Sequence, residues 1–267
     1  MIKKFFQSLN KKKVSYLLIS GQAAVLYGAA TFSEDIDVWV EPHRANWERF
    51  LKVIRELEGK IYKLTPPLTM DFILRGHGFH FQFSSGKRDE STWFLDVMGV
   101  VPRVSSFSKA LNNANIYTTD WGVIPVIGLR ELVEIKKTRR LEDYAVISNL
   151  VKIEKERLKA HPSQDDWKWI LSNSFNVEDI IEFLRSSRLS IKVAKQMRRK
   201  AVTFCLKAIE SENDELILQA SKQIALEIEE CRQKDRLYWQ PIIEELRVLK
   251  EKRRFLKEGS IPPVEVG

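Results

Sequence analysis

Residues 17–22, Leu-Leu-Ile-Ser-Gly-Gln, and residues 35–40, Asp-Ile-Asp-Val-Trp-Val, decide how this chain is read. In the first, an apolar strand runs into a Gly that opens a helix. In the second, two carboxylates stand at i and i+2 of an apolar run, with twelve residues between Gln22 and Asp35. Alternate side chains of a strand share a face, so Asp35 and Asp37 repel one another unless a cation lies between them. A magnesium ion, which takes hard oxygen ligands, removes that repulsion.

A further carboxylate is at hand in Phe94-Leu95-Asp96-Val97-Met98, where one acid interrupts an apolar strand and would be costly to bury alone. Gly99 and Pro102 follow closely, so a turn acid is the alternative reading of Asp96. Asp35, Asp37 and Asp96 are the candidate metal ligands and catalytic residues. The chemistry they suit uses two magnesium (or manganese) ions: one activates an attacking hydroxyl, the other offsets charge on a triphosphate as pyrophosphate leaves. Gly21 lets the backbone approach phosphate oxygens, while the first amides of the helix and the Gln22 side chain offer donors to them. Asp71, in the strand-like run 71–74, is the fallback for the third ligand. His77 and His80 flank Gly78 without a matching cluster of acids and read as loop and strand residues.

Outward from this pair, residues 14–128 mix short β-branched or aromatic runs with turn residues, which predicts strands interleaved with helices. The strands are expected at 15–20, 36–41, 61–64, 71–74, 79–83 and 94–98, with a helix beginning at 23–27 and another over 46–57. After Gly128 the strand signal ends. Amphipathic helices are expected over 178–186, 190–209, 214–231 and 241–255, with breaks at 160–163 and 172–176 and a frayed tail from Gly259. Asn176 followed by Asp179 has the form of an N-cap with an acidic first turn. The class is α+β, with a first domain over 1–150 and an all-helical domain over 151–267.

No apolar run reaches the roughly 18 residues of a bilayer span, and the basic start, 1–13, lacks the apolar stretch and cleavage site of a secretory signal. The chain therefore reads as cytoplasmic. Cys205 and Cys231 lack the spacing of a disulfide framework or a thiolate metal site. A net charge of +8 favours an anionic partner, although 36 acidic residues spread the excess thinly. Arg198, Arg199 and Lys200, with the run 250–254, are solvated faces or, for an RNA substrate, the places where its backbone would lie.

Gly21-Gln22, the twelve-residue interval and Asp35-Ile-Asp37 resemble the Gly-Gly or Gly-Ser plus Asp-x-Asp signature of the DNA polymerase beta-like nucleotidyltransferase superfamily. Within it the chain is similar to the bacterial minimal nucleotidyltransferases of the abortive-infection AbiEii type, some of which are toxins of toxin–antitoxin pairs. The run ending Glu41-Pro42, the Leu-Asp-Val at Asp96, and Glu-Ile-Lys136-Lys-Thr-Arg-Arg140-Leu-Glu-Asp143 extend the likeness over roughly residues 14–150. Gln22 stands where the family has a small residue and Thr31 where many members carry Arg.

The resemblance implies a nucleotidyltransferase fold, a short mixed sheet flanked by helices. It implies metal ligation by Asp35, Asp37 and Asp96, a phosphate loop at Gly21 and Gln22, a Ser33 hydroxyl beside the triphosphate, and a cationic contact from Lys136. It also implies an activity, transfer of a nucleoside monophosphate from a nucleoside triphosphate such as ATP to a hydroxyl of a protein, RNA or small molecule. A non-catalytic member binding nucleotide or a cognate toxin or antitoxin is the second reading, and an RNA-binding module using the basic helices is the third.

Overall fold

The computed structural model describes residues 1–84, 92–159 and 161–267. The chain is α+β. Among the described residues a mixed sheet of seven strands has the order β3-β4-β5-β2-β1-β7-β6. Its members are β1 (Tyr16–Ile19), β2 (Ile36–Val40), β3 (Lys60–Ile61), β4 (Gly78–Phe83), β5 (Trp93–Met98), β6 (Asn115–Thr119) and β7 (Gly122–Val126). β2 runs parallel to β5 and β1 parallel to β7, while the remaining neighbours are antiparallel.

Strict alternation explains the two faces. Phe79, Phe81 and Phe83 of β4 and Trp93, Leu95 and Val97 of β5 are buried, and the residues between them are half-buried. The buried set packs under α1 (Ile2–Lys11) and α3 (Arg44–Glu56), with Trp47 edge-on to Phe79 at 5.2 Å and Phe5 lying 5.4 Å from Trp93. Fully burying each such ring contributes about 1.5–3 kcal/mol, so this face holds the sheet together and leaves the opposite one to polar groups.

Two compact units result. The first comprises Met1–Leu26, Ala30–Ile135 and Tyr238–Gly267; the second comprises Tyr27–Ala29 and Lys136–Leu237. These limits differ from a division at 150, because the end of the chain returns to the sheet-bearing unit. α12 (Asp214–Glu251) runs unbroken through Pro241, where two helices, 214–231 and 241–255, were expected. Beyond it the tail packs instead of fraying. Gly259 donates to the Ile61 carbonyl and the Ile61 amide to the Ser260 carbonyl, so the tail covers the outer edge of β3. Leu256 donates to Thr65, Gly267 to Leu68 and Met70 to Gly267, and Val266 is 2% exposed.

Residues 71–74 are helical and not extended: α4 (Met70–Leu74) starts at Thr69, whose hydroxyl accepts from the Phe72 amide. Asp71 is thus a first-turn acid, paired with Arg75, and not a strand carboxylate. The expected helix over 190–209 is two, α10 (Arg188–Gln196) and α11 (Lys200–Ser211), because Met197 leaves helical geometry. The hairpin β6–β7 was not singled out in the sequence, where Pro125 interrupts the pattern.

The remaining elements are α2 (Ser20–Tyr27), α5 (Phe107–Asn112), α6 (Leu129–Lys136), α7 (Glu142–Arg157), α8 (Gln164–Asn173) and α9 (Val177–Ser186). α8 begins in a capping box between Ser163 and Asp166, and Asn176 caps α9 by accepting from the Asp179 amide. Of the expected break at 160–163, residue 160 lies outside the described residues. Among the described residues no helix is long and apolar enough to cross a membrane.

Candidate functional site

Register brings the acids together. Asp37 of β2 stands opposite Asp96 of β5, and Asp96 stands opposite His80 of β4, so the three form a row across adjacent strands on the face away from the aromatic core. The His80 Nδ1 hydrogen donates to Asp96 Oδ1 at 2.7 Å, since a carboxylate only accepts. Side chains at this pair are about a quarter exposed, 25% for His80 and 27% for Asp96, which leaves them open to a ligand.

Asp35 immediately precedes β2. Burial pushes its carboxyl above the ordinary range, and the negative charges of Asp96 and Glu34 push the same way against Lys63 and His80. Asp35 therefore lies within the field of Asp96. Among the described residues, however, no three His, Cys, Asp or Glu side chains are gathered into a group that could hold a metal ion. The donor set suits a hard cation in charge and atom type, because burial and the Asp96 charge both disfavour an ionised Asp35, a cost that a bound cation would relieve.

The turn at Gly21 serves Asp35 through Ser33. Ser20 has φ 59°, a left-handed conformation at the strand-to-helix elbow. A Cβ on Gly21 would lie 2.2 Å from the Ser33 hydroxyl, so only glycine lets the 33–35 segment approach this closely. Gln22 Nε2 donates to the Ser33 carbonyl at 2.8 Å, and the Ser33 hydroxyl donates to the Asp35 carbonyl at 3.2 Å. Gly21, Gln22 and Ser33 thus fix the backbone that carries Asp35. The Gln22 amide, expected to face phosphate, is engaged on Ser33.

Around the row lie residues that sequence reasoning did not select. Trp39 Nε1 donates to the Gly99 carbonyl at 2.8 Å, tying the end of β2 to the turn after β5. Tyr62 lies 4.6 Å from Phe94, and the Lys63 ammonium stands 4.9 Å over the Tyr62 ring while drawing Asp35 toward its charged form. His80 was passed over for want of nearby acids. The available signal was its place among the polar positions of Phe-His-Phe-Gln-Phe, whose face only the register reveals.

Lys136 belongs to the second unit and is buried. Its ammonium donates to Asp143 at 2.8 Å, and Asp143 also accepts from Thr138 and from Arg140 at 3.1 Å. Burial pushes the Asp143 carboxyl up, but the Lys136 charge, the hydroxyl and Arg140 outweigh it and hold the carboxyl below its ordinary range. The expected phosphate cation is therefore half of an internal ion pair.

No protein-family model matches the chain, and no curated protein matches it.

Proposed function

We propose that this chain is a nucleotidyltransferase, with the sheet around β1, β2 and β5 and the helix α2, which carries Gly21 in its first turn, forming a nucleotidyltransferase fold. The observation that carries the reading is the row Asp37–Asp96–His80, with Asp35 held in the field of Asp96 by the Gly21–Gln22–Ser33 clamp. Asp35, Asp37 and Asp96 would hold magnesium, which when bound supplies charge neutralisation for the triphosphate and acidifies the acceptor hydroxyl.

In the transfer, the acceptor oxygen forms a bond to the α-phosphorus, the α–β bridging P–O bond breaks, and pyrophosphate leaves with that electron pair. The hydroxyl proton passes to a carboxylate of the row or to water. His80 holds one oxygen of Asp96 and so fixes which oxygen is presented. Lys63, the exposed cation beside Asp35, offers charge to phosphate oxygens, the role that the family resemblance implies for Lys136.

The test is pyrophosphate release from each labelled triphosphate in magnesium, with RNA, protein and small-molecule hydroxyls as acceptors. Asp37→Asn and Asp96→Asn are each expected to lower the rate by on the order of a hundredfold or more. His80→Ala, which removes an outer partner of a ligand, is expected to cost about 10–100-fold. Wild-type protein that neither binds a triphosphate nor releases pyrophosphate with any acceptor overturns the reading.

The engaged Gln22 amide supports one competing account, a non-catalytic nucleotide- or partner-binding member. Triphosphate binding without pyrophosphate release distinguishes it.

A further inference from the structure

The second unit contains a cavity of about 620 Å³ formed by α8, α10 and the 197–199 segment. That volume lies within the range of small-molecule sites. Its lining divides into three kinds of group.

Val193 and Met197 supply an apolar patch. Gln164 and Gln196 supply amides, each both donor and acceptor. Lys168 and Arg198 supply positive charge, and neither has an ion-pair partner among the described residues.

A rigid wall stands behind them. Arg199 Nε donates to Glu227 at 2.8 Å, its Nη groups donate to the Leu171 and Ser174 carbonyls, and its guanidinium stacks on Phe175 at 5.3 Å. With Arg199 neutralised by Glu227, Lys168 and Arg198 outweigh the one lining acid, Asp165.

We infer that this cavity is a nucleotide-binding site, taking a nucleoside monophosphate with its base on Val193 and Met197 and its phosphate between Lys168 and Arg198. An apolar ring face, a hydrogen-bonding edge and an anionic ester are combined in that ligand class and matched by the three parts of the lining. A free phosphate uses only the cations, and an RNA strand uses the charge without needing the apolar patch.

The inference is independent of the transferase reading, because the residues belong to a different unit and no divalent cation is involved. It is tested by calorimetric titration of the full-length chain in EDTA with adenosine monophosphate, inorganic phosphate and a short single-stranded RNA. The expected result is one monophosphate bound per chain and more tightly than phosphate. Lys168→Glu with Arg198→Glu, both exposed positions, is expected to weaken binding on the order of tenfold or more. Gln196→Ala weakens the monophosphate and leaves phosphate unchanged, and Asp37→Asn leaves all three isotherms as they were. An unchanged monophosphate affinity in the charge-reversed variant overturns the proposal. So does phosphate binding as tightly as the monophosphate, or RNA binding where the monophosphate does not.

Discussion

A methyl group on Gly21 has nowhere to go: its carbon would stand 2.2 Å from the Ser33 hydroxyl and 2.9 Å from the Ser33 Cβ. Gly21→Ala must push the 33–35 segment away, and overpacking of this kind costs about 1–3 kcal/mol. Ser33→Gly makes the space again, so the double variant is expected to recover most of the loss in denaturant unfolding, a coupling that independent sites do not show.

Asp143 carries a second consequence. Its folded pKa lies below the unfolded value of about 3.9, so its stabilising contribution is present above that value and is lost as pH falls through the folded pKa. Acid unfolding below about pH 4 is therefore expected to shift when Asp143 is replaced. Asp143→Asn leaves Lys136 buried and charged, which costs about 3–5 kcal/mol at neutral pH and removes that part of the acid dependence.

The strand positions of Asp37 and Asp96 were legible because Asp37 is one of a carboxylate pair at strand spacing and Asp96 is a lone acid in an apolar run, each costly to bury without a partner. His80 was not. Alternation tells which face of its own strand a residue takes, but nothing in a single strand tells which residue of the next strand lies opposite. The pairing of Lys136 with Asp143 was not legible for a related reason. A basic residue near an acidic one on the next turn reads as a solvated face or a ligand contact, and only tertiary burial turns it into an internal pair.

At the scale of elements, breaks were misjudged where local chemistry and packing disagree. Pro241 reads as a helix start, yet α12 continues across it and forgoes the hydrogen bond that a proline cannot donate. The site is exposed. Pro241→Ala restores the donor and removes the ring clash, gains of up to about 3 kcal/mol that outweigh the roughly 0.4–1 kcal/mol of unfolded-state entropy the proline saves. A rise in thermal midpoint is expected; an unchanged or lower midpoint would show that the helix depends on the ring. The run 71–74 failed in the opposite direction. Five residues hold too few turns to show a period, and the cap at Thr69 decides the matter.

Across the whole molecule, the sheet-bearing unit draws on both ends of the sequence. Residues 238–267 give it five backbone hydrogen bonds to Ile61, Thr65, Leu68 and Met70, and Glu245 accepts from the buried His77 at 2.7 Å. At about 0.5–1.5 kcal/mol net for each bond, before any buried area is counted, the loss approaches the stability of an ordinary domain. A fragment of residues 1–150 is therefore expected to lack a cooperative unfolding transition in circular dichroism, although it contains all seven described strands. Adding residues 238–267 as a separate peptide should restore part of the transition.

The bonds from Gly259 and Ser260 to Ile61 also set a timetable for synthesis. A ribosome delivers β3 about 200 residues before the segment that seals its edge, an interval of roughly 10–40 s at ordinary elongation rates. For that time β3 lacks the segment that covers its outer edge, and an uncovered strand edge is a template for pairing with a neighbouring chain that the finished molecule no longer offers there.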